Sequence, residues 1–407
     1  MGLMGPMGPI GPIGLIGLIG LMGLCGCSEG YEQERGQHVV LEAQLCTSAY
    51  DEVLSADDAR TMSPNSSVTR AWLPPTGYAS YEEAYVGKFA EQANLFHKSI
   101  GVYLTQDTQT PQEGTFFYNG NVTTDSKWRF ESDLELKTDT YYLYGYIPKE
   151  VAESSSIVAN SSFENGAVLS IYGLKTVTHS DVSVVVGAKN GTADSDGGVT
   201  TGTFAVDANA TSKDISSGNH IYLLFDHLYS ALRFRFRVAE TYAALRTIKL
   251  TKLELTANES LGSTRIKAKY NATIRLAANT TGASPIQSIV FTPDNSSADQ
   301  AYEPIYSGSE VELPSAEGKY TSFMGCFVPG QNTSFYLRST YNVYDLKGNL
   351  VREGCEAVNT IDLRSLFKIT ATQLQRGHMY SVTLTVNPTY LYVLSEPDLD
   401  NPTVKIN

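Results

Sequence analysis

The chain has 407 residues and a net charge of −13, with 30 Lys plus Arg against 43 Asp plus Glu. That balance excludes a nucleic acid held through its phosphates, because such binding needs a basic patch and no Lys/Arg-rich run occurs. With 42% hydrophobic and 18% charged residues, the chain is also no disordered acidic protein and has material for sizeable cores.

The first 26 residues hold 9 Gly, 3 Pro and 14 apolar residues and no charge, so every charged residue lies in the remaining 381. Glycine recurs at every third position from Gly2 to Gly26, but with Leu, Ile and Met between, and over too short a run for a collagen triple helix. A membrane-spanning helix would lose about 1 kcal/mol at each interior Gly relative to Ala. A secretory h-region only has to be apolar before it is removed. At its end stand Leu24, Cys25, Gly26 and Cys27. A small residue before Cys27 and a Leu three places upstream resemble the bacterial lipobox, which implies acylation of Cys27 as the mature N-terminus. No Lys or Arg precedes it. Ser28, Glu29, Gly30, Tyr31, Glu32, Gln33 and Glu34 follow. This acidic cluster resembles the surface-export signal of lipoproteins in the Bacteroides group, with a plain solvated tether as the alternative. Both readings place the protein outside the cytoplasm.

Removing Cys25 and acylating Cys27 leaves Cys46, Cys326 and Cys355, an odd number that rules out a disulfide scaffold. Cys326 and Cys355 are either bridged between neighbouring strands or buried free thiols.

From residue 37 onward the recurrent pattern is two-residue alternation punctuated by Gly, Asn, Asp and Ser. Leu232, Phe234, Phe236 and Val238 on one face, with Arg233, Arg235 and Arg237 on the other, predict a half-buried antiparallel strand with a wet arginine face. Further strands are predicted at 38–45, 99–105, 115–118, 128–131, 141–147, 168–172, 182–186, 248–255, 266–276, 334–344 and 380–386. Turn chemistry at 118–121 and 345–349 supports hairpins. Helical spacing is confined to 81–95, where Ser80 and Glu83 suit a capping box, and to a turn or two within 363–374. The pattern predicts an all-β chain of two antiparallel β-sandwich domains with few short helices. Alternation fades across 208–218. The expected segments are therefore a lipoprotein signal peptide over 1–26, an acidic tether over 27–36, and domains over 37–212 and 213–407.

Catalytic motifs are missing from the sequence. The six histidines show no zinc spacing, and His227 in the run 225–228 fits a packed, hydrogen-bonded residue better than a base. There is no nucleophile elbow and no phosphate loop. The run 194–198 has oxygen ligands that suit calcium but lacks the later Glu of an EF-hand, which favours a plain turn. A glycosidase needs only two facing carboxylates, and 43 acids single out no pair. The sequence therefore gives no catalytic residue, cofactor or metal site, and the expected role is not enzymatic.

Five segments carry a family likeness: 70–78 (RAWLPPTGY), 100–105 (IGVYLT), 144–148 (YGYIP), 225–234 (FDHLYSALRF) and 388–394 (PTYLYVL). With the lipobox and acidic tether they make the chain similar to the fimbrillins, lipoprotein-precursor pilins of the Bacteroides group. The resemblance implies transthyretin-like Greek-key sandwiches and a lipid-anchored precursor at the outer membrane and cell surface. It further implies an Arg-specific protease that releases the first strand, and other pilin subunits, in a self-polymer or hetero-assembly, that fill the groove with a C-terminal strand. Mapped onto this sequence, the departing strand is 38–45. The scissile residue is Arg70, with Arg60 and then Arg35 as alternates, and the donor lies in Tyr390, Tyr392 and Leu394 or in Val404 and Ile406. The competing expectation is a surface lipoprotein that binds glycan or host protein without polymerising, anchor and tip adhesins included.

Overall fold

A computed structural model describes residues 41–47, 50–54, 79–80, 99–106, 109–118, 128–131, 136–178, 181–190, 203–206, 219–257, 267–277, 285–297, 304–329, 333–367 and 374–386. Contacts divide the chain into Met1–Gln37 and His38–Asn407, and all described residues belong to the second unit.

The strands, in chain order, begin with Glu42–Thr47 (β1), Asp51–Leu54 (β2), Ala79–Ser80 (β3), Ser99–Thr105 (β4), Gln112–Tyr118 (β5), Trp128–Glu131 (β6) and Asp139–Ile147 (β7). Next come Ser154–Ala159 (β8), Gly166–Lys175 (β9), Val177–Thr178 (β10), Ser183–Asn190 (β11), Thr203–Val206 (β12), His220–His227 (β13) and Ser230–Val238 (β14). The remainder are Thr247–Ala257 (β15), Lys269–Ala277 (β16), Ile286–Pro293 (β17), Tyr306–Glu312 (β18), Thr321–Phe327 (β19), Ser334–Tyr344 (β20), Leu350–Asp362 (β21) and His378–Val386 (β22). The α-helices among the described residues are one-turn pieces, Glu240–Ala243 (α1) and Leu363–Phe367 (α2). The chain is all-β, as its alternation predicts.

One core lies between two sheets. The larger has the order β11-β13-β1-β6-β5-β4-β7-β12, and because β11 also pairs with β7, the pairing path returns on itself. The second sheet is β17-β16-β9-β8, and its inward Leu169, Ile171, Ile274 and Leu276 pack in one cluster with Ile100, Val102, Phe116 and Leu143 of the first. Another core lies between β10-β19-β14-β22-β2 and β18-β15-β20-β21, where Leu232, Phe234 and Phe236 meet Leu250, Leu253, Phe335 and Leu337. Strand membership crosses position 212 in both directions: β2 belongs to the second sandwich, while β13, β16 and β17 belong to the first.

Local chemistry explains several elements. Along β14 the apolar residues Leu232, Phe234, Phe236 and Val238 are buried and the three arginines between them are partly exposed, as period two dictates. The arginine face is not simply wet, however. Burial, helped by the neighbouring charge of Arg235, lowers the Arg233 guanidinium to about 10. Gly145 sits where β7 presses on β4, and a Cβ there would lie 2.3 Å from the carbonyl oxygen of Gly101. The β20–β21 hairpin closes at 345–349, where Asp345 Oδ1 accepts from the amides of Lys347 and Asn349, and Gly348 takes φ +85°. At α2, Asp362 Oδ1 accepts from the amide of Arg364, which starts the turn predicted in 363–374. The predicted helix at 81–95 and the turns at 119–121 and 194–198 lie outside the described residues. Strands β2, β3, β8, β10, β12, β13, β17, β18, β19 and β21 are absent from the sequence-predicted set.

Candidate functional site

The first strand occupies an interior place. Leu41, Ala43 and Leu45 are at most 1% exposed, which puts one alternating face wholly in the first core. β1 runs parallel to β13 over six register pairs, Glu42↔His220 to Thr47↔Phe225. Its other edge is less fully used: it pairs with β6 at Glu42↔Arg129 and Ala43↔Trp128, and with β3 at Cys46↔Ser80 and Thr47↔Ala79. Backbone bonds from Phe130 N to Leu41 O (2.9 Å) and from Glu42 N to Asn219 O (3.1 Å) pin its start. Buried Glu42 completes a polar row across three strands. Arg129 Nη2 donates to Glu42 Oε1 at 3.0 Å, and His220 Nδ1 lies 3.7 Å from Glu42 Oε2.

Four residues after β1 ends, the same segment joins the second sandwich. β2 pairs in parallel with β22, from Asp51↔His378 to Leu54↔Ser381, and forms the end of that sheet. Between the two strands Tyr50 enters a polar cluster. Its hydroxyl donates to Asp181 Oδ1 and lies 3.8 Å from Cys326 Sγ, and its ring stacks on His227 at 3.8 Å between centroids. Asp181 Oδ2 also accepts from Ser183 Oγ (2.9 Å) and from His227 Nδ1 (2.6 Å). Next to it, Arg376 Nη1 donates to Asp226 Oδ2 at 2.9 Å and to the His227 carbonyl at 3.0 Å. Asp181, Ser183 and His227 come from the first sandwich, Cys326 and Arg376 from the second, and Tyr50 from the segment linking them. A carboxylate this deep is tolerable only because it is fully hydrogen-bonded.

Burial, with the nearby Asp181 charge next in size, raises both the Tyr50 phenol and the Cys326 thiol well above their ordinary values. Both groups are held neutral by the fold. The stability they contribute is therefore whole below about pH 9, the ordinary thiol value, and is lost as pH rises through the raised native values. Urea midpoints should be level from pH 7 to 8.5 and fall above pH 9, and Cys326→Ala should shallow that fall. An unchanged slope in the variant would remove the thiol from the account.

Cys326 (β19) and Cys355 (β21) are free thiols in different sheets, which excludes the bridge; Cys326 is buried as the other reading has it, whereas Cys355 is only half-buried. His227 is packed and hydrogen-bonded to Asp181, as its context predicts. Cys27, Arg35, Arg60, Arg70, Tyr390, Tyr392, Leu394, Val404 and Ile406 all lie outside the described residues, as do residues 38–40 of the expected first strand. No group of three or more metal-ligating side chains occurs among the described residues. No helix among the described residues is long and apolar enough to cross a membrane. Sequence reasoning missed the Tyr50–Asp181 cluster, whose members are up to 276 positions apart.

No family model matches the chain, and no curated protein matches it. Solved structures do. A fimbrial protein from Bacteroides vulgatus is 11% identical with a TM-score of 0.33, covering 71% of this chain and 88% of that one. The fimbrial anchor protein Mfa2 from Porphyromonas gingivalis is 8% identical with a TM-score of 0.23, covering 84% and 90%. The tip fimbrial protein Mfa3 from the same organism, truncated at its C-terminus, is 9% identical with a TM-score of 0.24, covering 72% and 92%. At these values the likeness gives no residue-by-residue correspondence.

Proposed function

We propose that the chain is a cell-surface fimbrial subunit, exported as a lipoprotein acylated at Cys27 and activated for assembly by loss of its first strand. The observation that carries this reading is the position of β1: an N-terminal strand, buried on one face, that is inserted between β13 and β6 and not added at an outer edge. Its departure would bare the backbone groups of β13 over the apolar places of Leu41, Ala43 and Leu45, and an incoming strand would satisfy both.

Position along the chain separates the three arginines. A cut after Arg60 or Arg70 frees β1, Tyr50 and β2 together, whereas a cut after Arg35 frees none of them. Arg70 remains the first choice. The two-residue spacing of Tyr390, Tyr392 and Leu394, or of Val404 and Ile406, repeats that of Leu41, Ala43 and Leu45, so either set is a fitting donor from the next subunit. The first sandwich, which β13, β16 and β17 complete from beyond position 212, then serves as the acceptor, and the end of the expected 213–407 domain supplies the donor, so the expected boundary does not separate the two roles. The protein would be anchored at the outer membrane before processing and held in a pilus with other subunits afterwards, with adhesion as the outcome and no catalysis.

Trypsin stands in for the Arg-specific protease. Protein beginning at Ser28 should be cut at one N-terminal site near Arg70, keep a resistant remainder, and sediment as oligomers. A remainder that is cut there and stays monomeric sinks the proposal.

A further inference from the structure

Tyr50 fills a pocket whose walls are framed without it. Ser183 of β11 faces His227 of β13 in register, and Leu228 N donates to Val182 O at 2.7 Å, so the first sandwich sets one wall. Cys326 of β19 is in register with Thr178 of β10 and Ala231 of β14, so the second sandwich sets the other. Asp181, Ser183 and Cys326 are fully buried and His227 is 1% exposed, whereas Tyr50 is only half-buried. The pocket therefore opens to solvent on the side from which Tyr50 enters.

Each wall group suits one part of a phenol. The His227 ring lies 3.8 Å from the Tyr50 ring with 16° between their planes, a platform for a flat ring. At the far end Asp181 Oδ1 accepts from the hydroxyl, and Cys326 Sγ lies 3.8 Å from it. Among the described residues Tyr50 is the donor to Oδ1, since Ser183 and His227 both approach Oδ2. A plain benzene ring would match the platform but leave Oδ1 of a buried carboxylate without its donor. A guanidinium would supply donors but add a second cation beside Arg376, which already donates to the His227 carbonyl at 3.0 Å.

We propose that the junction of the two sandwiches is a binding pocket selective for a tyrosine side chain, which Tyr50 occupies in the intact chain and which opens to a tyrosine of another chain when Tyr50 is withdrawn. If the first segment leaves, the pocket sets a chemical requirement on its replacement beyond the two-residue alternation that fits the place of β1. That consequence rests on the fimbrial reading. The pocket itself does not.

Uncut protein beginning at Ser28 and carrying Tyr50→Ala tests it, because the substitution leaves a void that a small molecule can fill. The probes are p-cresol, toluene and propylguanidinium, which are the side chains of Tyr, Phe and Arg. p-Cresol should raise the melting midpoint of Tyr50→Ala saturably, with an affinity at least about tenfold above those of the other two, and should leave the parent unmoved. N-Ethylmaleimide should label Cys326 in Tyr50→Ala, identified by peptide mass, and p-cresol should slow that labelling severalfold. No p-cresol effect, equal affinity for toluene, tighter binding of propylguanidinium, or Cys326 labelling unchanged by bound p-cresol would each overturn the proposal. Should Tyr50→Ala fold poorly, its refolding yield from urea replaces the melting read-out: p-cresol should raise it severalfold over toluene, and equal yields overturn the proposal. None of these assays involves cleavage or oligomers, so the pocket and strand exchange stand or fall separately.

Discussion

Replacing Leu41 and Leu45 together by Ala should destabilise the first sandwich by about 4–10 kcal/mol, because each buried Leu→Ala costs about 2–5 kcal/mol and the sites are far enough apart to add. That is on the order of a whole domain's stability, about 5–15 kcal/mol. Both side chains are at most 1% exposed, and between them they fill the groove beneath β1. The second core contains neither residue, so the damage should be local. Amide exchange should accelerate most at Ile221–Phe225, the stretch of β13 that β1 covers, while β20 and β15 keep their protection. Leu350→Ala, at a position 49% exposed, should stay within about 0.5 kcal/mol and serves as the control. Uniform loss of protection across both sandwiches would show that β1 is not a separable element.

The second large effect is expected at Asp181. Asp181→Ala removes the acceptor shared by Tyr50, Ser183 and His227 and leaves those groups buried without it, which should cost about 3–5 kcal/mol. Asp181→Asn keeps the shape and one acceptor oxygen and should cost less, about 1–3 kcal/mol. Tyr50→Phe should cost less in the Asp181→Ala background than in the parent, a coupling of about 0.5–3 kcal/mol in the cycle. Urea denaturation of the four proteins measures it. Strict additivity would mean that Tyr50 is held by stacking on His227 alone, and would take the polar latch between the first segment and the junction of the sandwiches out of the account.

Much of the architecture is legible in the sequence, for a physical reason that differs from strand to strand. β14 and β16 each bury one face and wet the other, so period two is written in Leu232 to Val238 and in Ala272 to Leu276. β13 is buried throughout its described positions and reads HIYLLFDH, an apolar run with no alternation, which left it unassigned. β21 fails in the opposite way: it lies at the end of its sheet, exposed along most of its length, and its composition is that of a loop. The junction cluster is the least legible, because Tyr50, Asp181, His227 and Cys326 meet only through the pairing of four distant strands. No local pattern encodes that meeting. The pairing of β16 with β9, across the stretch at 208–218, is equally hidden from composition.

The central claim is that β1 leaves and another subunit's strand takes its place. The N-terminal mass of the protein isolated from the cell surface in assembled form tests this most directly. The account predicts a chain beginning at Ala71, or at Thr61 if Arg60 is the cut site, without β1, Tyr50 and β2. Assembled protein that still begins at acylated Cys27 and retains residues 41–54 would contradict it.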